Sequence, residues 1–193
     1  MPNYCHIIWH DTLDSTNREA ARLIRAGLDA DKMTIVAAKS QTAGRGQGDH
    51  LWHSAAGENL TFSAAVHFAP GGMKARDQQA LNGIVLPVIC NFLRKNGVEP
   101  RIKLPNDVYV DARKICGILV ENILMGDDLV WTIIGIGLNL NEMHFPADLP
   151  DAVSLRQLTG VKYSPEGTLD ELAGGLRVSF REYLQEELGS DIP

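Results

Sequence analysis

Apolar positions along the chain alternate between two periods, and the alternation predicts the elements. Ile7-Ile8-Trp9 opens as a strand, closed by the polar stretch from Asp11 to Asp14. Thr16 and Glu19 stand at capping-box spacing ahead of an apolar stripe of Ala20, Ala21, Leu23 and Ile24, which predicts a helix that Gly27 can end. Met33 to Ala38 reads as a second strand. From Asn59 to Phe68 the chain alternates like a half-buried strand, with Leu60, Phe62, Ala64 and Val66 on one face. Pro70-Gly71-Gly72 breaks it. Arg76 to Asn96 carries helical spacing through Leu81, Val85, Ile89 and Leu93, with Pro87 as an expected kink. Three strands are then predicted close together, at Val108 to Val110, Ile115 to Asn122 and Leu129 to Leu140. Gly126-Asp127-Asp128 turns between the last two. Asn141 to Pro150 reads as loop, and Ser154 to Thr159 and Leu169 to Leu188 as helices. Strands mixed with helices, with a late hairpin, predict an α+β fold: a mixed β-sheet with helices packed on one side.

Composition narrows this picture. The 193 residues suit one domain, read here as 1–193. Eighteen Lys and Arg face 24 Asp and Glu, a net charge of −6, which argues against a nucleic-acid-binding role. The longest apolar run, Ile84 to Cys90, falls far short of the roughly 20 residues of a membrane span. Three cysteines without a CxxC imply no disulfide framework and no zinc knuckle, as expected in the cytoplasm. Nothing at the N-terminus reads as a secretory signal.

Four stretches carry candidate chemistry. Gly44-Arg45-Gly46-Gln47-Gly48-Asp49 is a glycine-dense loop whose backbone N–H groups can approach an anion that Arg45 pairs with. It is neither a Walker A loop nor a Rossmann fingerprint, and by itself it reads equally as a surface loop. Lys103-Leu104-Pro105-Asn106-Asp107 presents a cation, an amide and a carboxylate on a proline turn. Lys103 suits a phosphate and Asp107 a Mg²⁺ ion, although a plain polar turn fits the pattern as well. Lys114 enters an apolar strand beside Gly117, where a ligand can lie close, or guards a strand edge. Gly135 and Gly137, two apart, open one strand face, and period-two spacing puts Asn139 on that same face. His50 and His53 lack a third ligand and read as surface histidines rather than a metal pair.

Taken in order, these pieces resemble the catalytic core of the biotin protein ligases. The matching elements are Asp14-Ser15-Thr16-Asn17, Gln41 to Gly46, Trp52, Lys103 to Asp107, Lys114 to Glu121 and Gly135 to Asn141. The resemblance implies an enzyme that uses biotin and Mg-ATP to form biotinyl-5′-adenylate. It would then transfer biotin to one lysine of a biotin carboxyl carrier domain. It further implies a biotin site of Ser15, Thr16, Asn17, Gln41, Gly44, Arg45, Gly46, Gln47, Lys114 and Gly117. The ATP or adenylate site would comprise Arg45, Gly46, Trp52, Lys103, Asn106, Asp107 and Asn139. Lys114, Arg45 and Asp107 are implied as catalytic, with Asp107 as the candidate Mg²⁺ ligand and base. The enzyme would be a monomer or homodimer. Three departures stand out. The usual second cation of the glycine loop is missing and Asp49 is added, which predicts weaker retention of the adenylate. Leu104 replaces the usual aromatic. The third departure lies at the ends: the reading expects neither the N-terminal DNA-binding domain nor the C-terminal SH3-like domain of the family. A lipoate or octanoate ligase of the same fold, and a non-catalytic biotin-binding module, are the alternatives.

Overall fold

A computed structural model describes residues 5–189 of the chain. Seven strands form one sheet in the order β1-β2-β3-β7-β6-β5-β4. They are β1 (Cys5–Leu13), β2 (Met33–Gln41), β3 (Leu60–His67), β4 (Arg101–Lys103), β5 (Asp107–Val110), β6 (Arg113–Met125) and β7 (Asp128–Leu138). β1 and β2 pair in parallel and every other neighbour is antiparallel. A parallel pair needs a crossover, and α1 (Thr16–Arg25) supplies it.

The mixed sheet with helices matches the expected class. The long helices α2 (Ala80–Lys95) and α4 (Pro165–Gly189) pack on one face, over Ile35, Phe62, Ala64, Ile134 and Ile136. A five-residue helix, α3 (Leu155–Thr159), follows β7 and carries a full capping box from Ser154 and Gln157. The opposite face is covered only in part, where Ala20 of α1 packs on Val36, Ala65, Trp131 and Ile133. The rest of that face is open and is lined by small or polar residues. This is the surface on which a ligand can sit.

Several expectations shift. β1 extends through the polar segment to Leu13, because Thr12 and Leu13 pair with Ser40 and Gln41 of β2. Thr16 and Glu19 form no capping box. Ser15 is the residue before the helix, the Thr16 N–H donates to Gln41 Oε1 at 2.8 Å, and Glu19 pairs with Arg22 instead. β3 is buried on both faces except at His67, since α1 lies over part of its second face, with Thr16 and Asn17 against Ser63 and Ala20 against Ala65. A 3-10 turn at Ala75–Asp77 precedes the helix predicted from Arg76, which starts at Ala80 and contains Pro87. The short strand β4 was not predicted. β7 ends at Leu138, so Asn139 lies beyond the strand.

Candidate active site

Register builds the floor of the site. One row of paired residues crosses the sheet from Ala38 through Thr61, Gly137 and Gly117 to Asp107. The next row runs from Val36 through Ser63 and Gly135 to Leu119. Directly paired residues share a face. The centre of the open face is therefore backbone at three glycines. A cavity of about 330 Å³ lies above it.

Two side chains lean in over these glycines. A Cβ on Gly135 would run into the Asn17 amide, and one on Gly137 into the Trp52 indole. At Gly117 it would meet Trp52 Cζ3 at 2.8 Å. Both leaning residues are fixed. Asn17, buried in the first turn of α1, donates from Nδ2 to Glu121 Oε2 at 2.8 Å, and its Oδ1 lies 2.5 Å from the Ser63 hydroxyl. Trp52 follows the glycine loop. The loop is closed by Gly46 N–H donating to the His50 carbonyl (2.8 Å) and Trp52 N–H to the Gly44 carbonyl (3.0 Å). Trp52 Nε1 is buried without a hydrogen-bond partner. A buried donor left unpaired is costly, so this N–H is a ready contact for a ligand acceptor.

Two cations face the cavity, and each is held by a carboxylate. Arg45 Nη1 is 2.7 Å from Glu121 Oε1, and Lys114 Nζ is 2.7 Å from Asp107 Oδ1. Lys114 also lies 5.6 Å from the Trp52 ring centroid. Its backbone is clamped from outside the sheet, the N–H donating to the Asp151 carbonyl and the carbonyl accepting from Val153 N–H. Asn106 donates to the Ile118 carbonyl at 2.7 Å, which fixes the turn that presents Asp107. At the helix end, Asp14 is held below the usual carboxylate range by the Arg22 guanidinium and then by the Ser15 N–H. Behind the floor, full burial pushes the Cys116 thiol far up, so that it stays protonated.

Every residue expected at the site lines this cavity except Gly44, Lys103 and Asn139. Gly44 shapes the base of the loop, where a Cβ would meet the Trp52 carbonyl oxygen at 2.5 Å. Lys103 is exposed on β4 and stacks over Tyr109, 4.8 Å from its centroid. Asn139 is buried and spends its amide on the carbonyls of Lys114 (3.4 Å) and Val153 (3.2 Å). It borders an adjoining cavity of about 210 Å³ that also meets Trp52, His53, Tyr109 and Lys114. Sequence reasoning assigned no role to Ser63, Leu119 or Glu121, which also line or border the site. A serine in an apolar strand and a carboxylate closing the apolar run from Ile115 were the available signals. His50 lines the cavity, whereas His53 Nε2 lies 2.9 Å from buried Glu142. Among the described residues, no group of three or more His, Cys, Asp or Glu side chains is arranged to hold a metal ion. Nor is any helix among them long and apolar enough to cross a membrane.

Residues 9–139 match the biotin/lipoate A/B protein ligase family. The chain belongs to this family. It is 33% identical to the bifunctional ligase/repressor BirA of Bacillus subtilis (strain 168), over 93% of this chain and 55% of that protein. It thus spans about half the length of that relative. It is 32% identical to the biotin–[acetyl-CoA-carboxylase] ligase of Paracoccus denitrificans, covering 83% of this chain and 67% of that one. A biotin protein ligase from Aquifex aeolicus, solved in complex with biotin and ATP, superposes with a TM-score of 0.75. That match has 27% identity and covers 93% of this chain and 72% of that one.

Proposed function

We propose that the chain is an ATP-dependent biotin protein ligase, which activates biotin and transfers it to a lysine of a biotin carboxyl carrier domain. One observation carries the reading. Arg45 and Lys114 face a single cavity whose floor is bare backbone, so two anions can be brought together above it. Joining a carboxylate to an α-phosphate needs such fixed positive charge and close approach.

In the first half-reaction a biotin carboxylate oxygen attacks the α-phosphorus of ATP, and pyrophosphate leaves. Ser15, Thr16, Asn17, Gln41 and Gly117 would hold the ring system of biotin, with Gly46 and Gln47 beside it. Arg45 and Lys114 would neutralise the carboxylate and the α-phosphate. Trp52, Lys103, Asn106 and Asn139 would serve the nucleotide side, Asn139 by fixing the Lys114 backbone. In the second half-reaction the acceptor amine attacks the carbonyl carbon, AMP leaves, and the amine surrenders its proton to Asp107.

The residues present fit a magnesium ion carried in on the triphosphate, with Asp107 as its one protein carboxylate, and not a resident metal site. Such an ion commonly keeps one or two carboxylates plus phosphate oxygens. It would supply charge neutralisation on the phosphates. The buried free thiols of Cys90 and Cys116 suit a cytoplasmic setting.

The test is biotin-dependent exchange of labelled pyrophosphate into ATP by this 193-residue chain. Exchange with biotin, and none with lipoate, is expected. Exchange with lipoate alone, or none with either acid, overturns the reading.

A further inference from the structure

We propose that Glu121 is a positioning residue that holds Arg45 in reserve. It is the counter-ion of the guanidinium while no anion is bound, and it yields Arg45 to the acid or phosphate that arrives. The inference rests on the function proposed above and adds to it a residue outside the expected site.

The geometry points this way at three levels. First, both oxygens of Glu121 are committed, Oε1 to Arg45 at 2.7 Å and Oε2 to Asn17 at 2.8 Å. The carboxylate thus links the loop cation to the helix residue that leans over Gly135. Second, the two ends of the pair differ in support. Glu121 stands in β6, paired with Ile133 of β7, whereas Arg45 rides on the loop that ends at Trp52. When the pair separates, it is the loop side that moves. Third, the pair stands at a border. Arg45 and Asn17 line the central cavity, and together with Glu121 they also line a groove of about 350 Å³ shared with Arg18, Arg22 and Arg25.

A ligand anion reaching Arg45 meets a negative charge already seated there. Both partners are about one-third exposed, so the pair is moderate in strength and can be exchanged. The guanidinium has five donors and can pass from one carboxylate to another without being left unpaired. A tie that was purely structural would be indifferent to the charge of the ligand. A competing counter-ion is not.

The test separates these by charge. Biotin and its neutral alcohol analogue, biotinol, share the ring system and differ in the group that meets Arg45. Both are titrated calorimetrically into the parent chain and into Glu121→Gln. With the glutamine oxygen still accepting from Asn17, removing the competing charge is expected to tighten biotin about fivefold relative to biotinol. An unchanged ratio, weaker biotin, or a parallel fall of both overturns the proposal. Inorganic pyrophosphate is titrated as well, because it contains no biotin. If the parent binds neither biotin nor biotinol, the biotin reading fails. Tighter pyrophosphate binding by the variant then still supports the role of Glu121, and equal or weaker binding overturns it. Should Glu121→Gln not fold, Glu121→Asp withdraws the carboxylate by one carbon and must shift the same ratio in the same direction, by less.

Discussion

Replacing Glu142 by alanine should destabilise the domain far more than a typical surface change. Its carboxylate is only 4% exposed and gathers three groups. It accepts from the Ala55 N–H at 3.2 Å and from the Asn59 side-chain amide, and His53 Nε2 lies 2.9 Å away. Asn59 is itself buried, and its Oδ1 accepts from Leu140 N–H at 3.0 Å. The Glu142→Ala change leaves the Asn59 amide unpaired in the interior, which costs about 1–3 kcal/mol. The half-buried Ala55 N–H adds about 1 kcal/mol. His53 is 39% exposed, so its share is discounted to about 0.5 kcal/mol or less. The sum is about 2–4 kcal/mol, which for a domain of this size lowers Tm by roughly 5–15 °C. Glu142→Gln keeps one acceptor for two donors and should lose about half as much. Thermal and urea denaturation of the three proteins measure this. If Glu142→Ala melts within about 1 °C of the parent, the cluster does not carry the energy assigned to it.

Further outcomes follow from the same geometry. Gly135→Ala should displace Asn17 from Ser63 and Glu121; at about 1 kcal/mol per bond this weakens biotin at least about tenfold, and calorimetry showing parental affinity would refute it. Asp107→Asn should slow pyrophosphate exchange, through the magnesium ion and Lys114 that Asp107 also serves, and slow acceptor biotinylation by about a further 10²-fold; equal effects on the two half-reactions remove Asp107 as the base. Gln47→Arg restores a cation to the cavity wall, and avoids the positive φ of 63° that an arginine at Gly48 would have to adopt. It should lengthen the lifetime of enzyme-bound biotinyl-adenylate severalfold, and an unchanged lifetime counts against the weaker-retention expectation. Lys39, Arg22, Lys32 and Lys74 hold Asp11, Asp14, Asp29 and Asp128, respectively, below the ordinary carboxylate range. Depressed folded-state values mean stability that is complete above the unfolded value near 3.9. It should hold down to about pH 5 and then be lost as the pH falls through the folded-state values. Because these pairs are exposed, 1 M salt should flatten the acid limb.

Much of the fold was legible because burial wrote it into the apolar pattern. β2, β3 and the β6–β7 hairpin are runs with few charges, bounded by turn residues. β4 was not legible: Arg101-Ile102-Lys103 is exposed at all three positions and exists as a strand only through its pairing with Tyr109, Val108 and Asp107. The capping-box spacing misled because the Thr16 hydroxyl is claimed by partners distant in sequence, Gln41 and Ser63. The site was readable where it rests on local motifs, as at Arg45, Asp107 and Lys114. Ser63 and Glu121 were not readable, because their place at the site depends on register between strands. The sequence places Asn139 near the nucleotide. That its amide braces the Lys114 backbone is visible only in the fold past the end of β7.

The backbone floor also bears on how such a site can change over generations. A pocket walled by large side chains can be reshaped in small steps, each substitution offset by a neighbour. Peptide groups at Gly117, Gly135 and Gly137 offer no such gradation, since the smallest addition already strikes Trp52 or Asn17. Change in what the cavity admits therefore falls to the side chains around the floor, Asn17 and Trp52 among them. Those side chains can be exchanged while the sheet beneath them stays as it is, whereas a side chain placed on a floor glycine displaces Trp52 or Asn17 at once.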